Sequence, residues 1–180
     1  MTRILPPALP GMRIGLFGGS FDPAHEGHTH VAETALKRLQ LDRVWWLVTP
    51  QNPLKPRSGS LKERFASARA AAHGSKMVVT AFEAQLGFRY TYQTLRYLKR
   101  RCPGVGFILV MGADNLTNFH KWKNWREVAA KVPVAIVSRP GAGARERLSA
   151  PKNWVFLNAR FNPLSSTALR AAQRPAVAKP

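Results

Sequence analysis

Cysteine is all but missing from this 180-residue chain: Cys102 stands alone, so no internal disulfide can form. A thiol without a partner fits a reducing compartment, and the cytoplasm is the expected location. Acidic side chains are also scarce, with 9 Asp+Glu against 28 Lys+Arg. Apolar runs stop at strand length, which excludes a membrane-crossing helix. The first eleven residues carry Pro6, Pro7 and Pro10 and no apolar stretch of the kind that a secretory signal needs. Missing too are the Gly-x-Gly-x-x-Gly of dinucleotide folds and the Gly-Lys-Ser/Thr of Walker loops. Neither an internal repeat nor a domain linker interrupts the chain.

What is present describes one globular domain. Hydrophobic residues make up 45% of the chain, enough for a substantial core at this length. Residues 1–11 read as a Pro-rich extension, 12–172 as the folded unit and 173–180 as a tail. The net charge of +19 suits anionic substrates. The basic residues are dispersed, Lys37, Arg38, Lys62, Arg64, Lys99, Arg100, Arg101, Lys121 and Lys123 among them. No RNA-binding signature accompanies them, so a basic soluble surface is favoured over a nucleic-acid face.

Apolar, β-rich runs alternate with helical patterns, which predicts a parallel sheet covered by helices on both faces. Strands are expected at 13–17, 43–48, 77–82, 107–111, 134–137 and 154–157. Helices are expected at 29–39, from Ser60 onward behind a Ser60–Glu63 capping box, at 91–101, at 125–132 and at 165–172. Trp45, Trp46 and Trp125 are assigned to packing, His30 to the surface, and Asp22, before Pro23, to organising its turn. In doubly wound sheets ligands bind beyond the carboxyl ends of the strands. Four loops then share one rim: 18–28, 49–58, 112–125 and 139–143.

The first of these loops holds the densest chemistry. Gly18, Gly19, Ser20 and Phe21 follow a strand, and His25 and His28 stand where the next helix begins. Glycines let backbone N–H groups approach phosphate, and a helix start adds positive partial charge. Two imidazoles at that point can polarise a polyphosphate. Zinc ligation is the competing reading, but a second ligand pair at sensible spacing is missing. Near the other end, Ser165, Ser166 and Thr167 open a helix with Arg170 one turn along. One hydroxyl suffices as a cap; the others, with a forked guanidinium, make an anion site.

The run from Gly19 to His28 resembles the G-x-F-D-x-x-H-x-G-H signature of the nucleotidyltransferase α/β-phosphodiesterase superfamily, matching at Gly19, Phe21, Asp22, His25, Gly27 and His28. Leu164 to Arg170 resembles its second signature, I-S-S-T-x-x-R, with leucine for isoleucine. Between them the chain is similar to bacterial nicotinate mononucleotide adenylyltransferases. Lys55 lies in a loop like their proline-and-lysine loop, Tyr90-Thr91 opens a Y-T-x-x-T-L segment, Gly112-Ala113-Asp114 matches G-x-D, and Arg139-Pro140-Gly141 matches R-P-G. Trp122 falls where they carry a Trp-Tyr pair, but Lys123 replaces the tyrosine.

That resemblance implies a single-domain, Rossmann-like α/β fold and adenylyl transfer from ATP to nicotinate mononucleotide in NAD biosynthesis. Catalysis would fall to His25, His28 and Arg170. ATP would lie against Gly18, Gly19, Ser20, Phe21, Asp114, Ser165, Ser166, Thr167 and Lys55, with Asp114 on the ribose. The acceptor would meet Tyr90, Thr91, Trp122 and Arg139, its ring stacked on Trp122 and its carboxylate on backbone N–H groups near Tyr90 and Thr91. Mg²⁺ would arrive with the triphosphate and need few protein carboxylates, so no residue is assigned to hold it. Phosphopantetheine is the rival acceptor, and a nucleic-acid-binding protein on a nucleotide fold is the rival of another class.

Overall fold

The computed structural model describes residues 5–50, 58–116, 118–138 and 153–159. Strand β1 (Arg13–Gly19) is followed by helix α1 (Glu26–Arg38), β2 (Arg43–Val48), α2 (Leu61–Ala71) and β3 (Met77–Thr80). A short α3 (Phe82–Gln85), α4 (Thr91–Arg101), β4 (Gly106–Gly112) and a single-turn α5 (Ala113–Leu116) come next. After a 3₁₀ turn (Phe119–Lys121), α6 (Trp125–Lys131), β5 (Val134–Ser138) and β6 (Trp154–Asn158) complete the described elements. The strands form one six-stranded sheet in the order β3-β2-β1-β4-β5-β6. Every neighbouring pair is parallel.

Parallel strands are buried on both faces, and successive side chains point to opposite ones. Two cores result. Ile14, Leu16, Trp45, Leu47, Phe107, Leu109, Val134 and Ile136 pack on one side with Leu95 and Leu98 of α4 and Val128 of α6. Phe17, Val44, Trp46, Val48, Ile108, Val110 and Ala135 pack on the other with Ala32 and Ala35 of α1 and Ala68 of α2. Trp45 and Trp46, adjacent and both fully buried, therefore belong to different cores. Gly15 leaves room for its neighbours: a Cβ there would lie 2.8 Å from Leu41 Cδ1 and 3.2 Å from Val110 Cγ2, so their side chains would have to shift.

Three expectations need correction. Helix α1 starts at Glu26, three residues ahead of Thr29, because His25 caps it. Strand β3 ends at Thr80, since Thr80 Oγ1 accepts from the N–H of Phe82 and turns the chain into α3. Leu5 and Ala8 pack against the first core, and the N–H of Gly11 donates to the carbonyl of Gly104 at 2.9 Å, so this part of the N-terminal extension is docked. His30 Nε2 is buried and unpartnered among the described residues, which is not a surface role. The helix expected at 165–172 lies outside them.

Strand order places the topological switch between β1 and β4, whose next connections run to opposite sides of the sheet. Ligand space is expected beyond Gly19 and Gly112, and a cleft opens there.

Candidate active site

A cavity of about 460 Å³ lies over the carboxyl ends of β1 and β4. One wall is Gly18, Gly19, Ser20 and His28; the opposite wall is Glu83, Arg89, Tyr90 and Thr91, with Lys121, Trp122 and Lys123 at a third side.

The first wall is shaped by Phe21. Its backbone is left-handed at φ 49°, a conformation costing about 1 kcal/mol for a side chain with a Cβ. In return its ring is buried, 5.5 Å from Phe17 and 5.1 Å from both Trp46 and His28. Burying a phenyl ring contributes about 1.5–3 kcal/mol, which offsets the strain. A Cβ on Gly19 would sit 3.0 Å from that ring, so the glycine gives it room. The Phe21 ring lies under His28.

His25 and His28 cap α1 reciprocally. The N–H of Gly27 donates to His25 Nδ1 at 3.1 Å, and the N–H of His25 donates to His28 Nδ1 at 3.2 Å. A nitrogen that accepts carries no proton, so both neutral rings hold theirs on Nε2. The ring centroids are 3.9 Å apart. Burial pushes the His25 imidazole below its ordinary pKa, which keeps it neutral. Two Nε2–H donors thus stand side by side at a helix N-terminus.

Arg64 was read from sequence as one basic residue among many. It is 2% exposed and joins three rim segments. Its Nη1 donates to the carbonyls of Ser20 (2.9 Å) and Thr49 (2.8 Å), Nη2 to that of Pro50 (2.5 Å), and Nε to that of Gly59 (2.9 Å). Desolvation lowers its pKa and the nearby Asp22 charge opposes that shift. Asp22 also accepts from the N–H of Gly59 at 3.2 Å, consistent with its expected place in ordering the loop. A buried arginine leaves no periodic signature in a chain this basic, so nothing in the sequence singled it out.

On the opposite wall, the N–H groups of Arg89 and Tyr90 both donate to Gln93 Oε1, at 3.0 and 3.1 Å. The Tyr90 N–H is therefore engaged within the chain, while Tyr90 itself lines the cleft. Thr91, the first residue of α4, has no intrahelical acceptor for its own N–H. Trp122 stands in the cleft with Phe119 5.2 Å behind it, and Phe119 in turn meets Trp154 at 5.2 Å. Trp125 packs against the first core, as expected. Lys123 lines the cleft beside Trp122.

Glu83 is a second residue that sequence reasoning passed over. It is buried, its Oε1 accepts from Thr94 Oγ1 at 2.5 Å, and burial raises its pKa against that hydrogen bond. Asp114 lies exposed on α5 at the end of β4, and its neighbour Asn115 lines the cleft. Lys55, Arg139, Ser165, Ser166, Thr167 and Arg170 lie outside the described residues. Among the described residues no three His, Cys, Asp or Glu side chains converge as a metal site.

Residues 16–172 match the family model described as cytidylyltransferase-like. The chain is 48% identical to a probable nicotinate-nucleotide adenylyltransferase of Caulobacter sp. (strain K31), over 90% of this chain and 98% of that one. It is 49% identical to a protein of the same description from Methylorubrum extorquens (strain PA1), over 88% and 99%. In fold it is similar to the Plasmodium falciparum nicotinic acid mononucleotide adenylyltransferase complexed with NaAD, with TM-score 0.78, 18% identity, and 89% and 83% of the two chains covered.

Proposed function

From the premise that this chain belongs to the cytidylyltransferase-like family, alongside the nicotinate-nucleotide adenylyltransferases, we propose that it transfers the adenylyl group of ATP to nicotinate mononucleotide. The products are nicotinate adenine dinucleotide and pyrophosphate, a step in making NAD. The observation that carries the site assignment is the reciprocal capping of α1, which leaves both Nε2 atoms free of the cap, with His28 lining the cleft beside Gly18, Gly19 and Ser20 and His25 packed against it.

The acceptor's phosphate monoester has a second pKa near ~6, so its dianion is already a nucleophile at neutral pH. One of its oxygens attacks the α-phosphorus in line, a P–O bond forms there, and the bond to the β-phosphate oxygen breaks. No general base is required. The protein's work is to position the reactants and to stabilise charge on the bridging oxygens. His25 and His28 donate to α- and β-phosphate oxygens, helped by the positive end of α1. Lys55, Ser165, Ser166, Thr167 and Arg170 are assigned to the departing pyrophosphate on the strength of their motifs. Trp122 stacks on the pyridine ring, and the N–H of Thr91 takes its carboxylate. Asp114 binds the ATP ribose, and Arg139 completes the acceptor side.

The donor set of the cleft, backbone N–H, hydroxyl and imidazole, fits a divalent cation that arrives on its substrate. Mg²⁺ keeps its waters and binds mainly through substrate phosphates. When bound it would draw charge from the triphosphate. We also propose a cytoplasmic location, given the single thiol; no helix among the described residues is long and apolar enough to cross a membrane.

A pyrophosphate-release assay with ATP against nicotinate mononucleotide, nicotinamide mononucleotide and phosphopantetheine tests the reading. Release with a pyridine mononucleotide supports it. Release with phosphopantetheine alone would replace the acceptor and keep the chemistry; release with none would remove both.

A further inference from the structure

Glu83 has no assigned part in the reaction above, yet it lines the cleft on the same wall as Tyr90 and Thr91. Among the described residues it is the one acid that is buried. Lys and Arg outnumber Asp and Glu 28 to 9, but the only ion pairs among the described residues belong to Glu127. Glu83 has a neutral hydroxyl for its partner instead, Thr94 Oγ1, on Oε1. Its backbone carbonyl accepts from the N–H of Phe88 at 2.8 Å, which ties α3 to the turn leading into Tyr90. A buried carboxyl lacking a cation is more stable with its proton on.

We propose that Glu83 determines whether the site takes an acid or an amide on the acceptor's ring: protonated, it donates from Oε2 to a ring carboxylate; ionised, it repels that carboxylate and accepts from a carboxamide. This rests on the acceptor reading given above. Stacking on Trp122 does not sense the ring substituent, and the N–H of Thr91 donates to a carboxylate oxygen or an amide carbonyl without titrating, so neither adds a pH dependence. The side chain's two states therefore differ toward one atom group only. Other titratable and charged groups on the cleft are Arg89 and Tyr90 ahead of α4, Lys121 and Lys123 ahead of α6, and His28 on α1. The cations among them favour the ionised form; burial dominates, and the balance raises the Glu83 pKa.

The test compares kcat/KM for nicotinate and nicotinamide mononucleotides, with ATP, across a pH series. Their ratio cancels every ionisation common to both reactions. In the wild type the acid-to-amide ratio falls about tenfold to a hundredfold as pH rises through the Glu83 transition, the worth of one hydrogen bond to a charged group. Glu83→Gln, neutral at all pH and able both to donate and to accept, gives a flat ratio. Thr94→Val removes the hydrogen bond that favours the ionised form, so the fall moves to higher pH. A wild-type ratio independent of pH with brisk turnover overturns the inference alone, and so does a Glu83→Gln profile that tracks the wild type. Turnover of neither mononucleotide overturns the acceptor reading itself. The wild-type profile decides even if neither variant folds.

Discussion

Each imidazole of the pair at α1 has its own task. His28 lines the cleft and touches Phe21 on one side and His25 on the other. Replacing it by alanine deletes one donor to a phosphate oxygen while leaving the helix cap on His25. The expected result is a kcat lowered ~10²–10³-fold with little change in KM, the cost of one oxyanion-type donor, read by steady-state kinetics. His25 is the pH-sensitive member. Burial lowers its folded-state pKa, so the unfolded chain binds the proton more readily. Stability is then fully present above the unfolded value of about 6.5 and is lost as pH falls through it toward the depressed folded value. Thermal midpoints measured down that range should drop in the wild type. In His25→Asn, which keeps a good N-cap without a titrating ring, they should drop less. Trp122→Ala belongs at this scale too: the KM for the mononucleotide rises while that for ATP holds, because stacking is lost on one substrate only.

Among the elements, α2 is the one that joins the rim together. Its start is fixed by Ser60 and Glu63, whose side chains cap each other's N–H groups at 3.3 and 3.0 Å. That cap sets Arg64 one residue further on, facing inward onto carbonyls from the β1 loop, the β2 end and Gly59. Ala24 N–H to Ser67 Oγ (2.8 Å) and Thr29 Oγ1 to the Ala71 carbonyl (2.9 Å) fasten α1 to the same helix. Arg64→Leu strands several carbonyls away from solvent. The expected loss is about 3 kcal/mol or more at roughly 1–3 kcal/mol for each unsatisfied group, measured by urea denaturation. Because one of the loops it spans carries Gly18 and Gly19, proposed above to meet phosphate, the variant should also lose kcat/KM for ATP.

For the whole molecule the dominant property is charge. A +19 protein with dispersed cations projects a positive field that gathers ATP and mononucleotides. Raising ionic strength from about 0.02 to 0.3 M shortens the Debye length below the size of the cleft's surroundings, and kcat/KM should fall several-fold, with kcat nearly constant. An unchanged kcat/KM would assign the charge no part in capture. Retention on duplex DNA with a steep log–log salt slope would assign it to nucleic acid instead.

Local pattern carried a great deal of this. Strand β2 and helix α4 lie at the predicted residues, since a run such as Arg43–Val48 buries both faces whatever its neighbours are. The glycines and paired histidines of the β1–α1 turn were legible because turn, cap and phosphate chemistry are settled within a dozen consecutive residues. Packing over longer distances decided the rest. That the Phe21 ring would pack on Trp46 and Phe17 is decided by β2 as well as β1. That Gln93 would take the N–H of Tyr90 is decided by how α4 begins. Arg64 looked like one dispersed surface charge among many, and Glu83 gave no signal at all. Their burial comes from segments up to 44 residues away in the chain, as with Arg64 and Ser20. From its own order of residues the chain determined the fold class and the reaction, because both depend on short spacings. Which polar groups face the substrate was decided by tertiary structure alone, since solvation and partners exist only once distant segments meet.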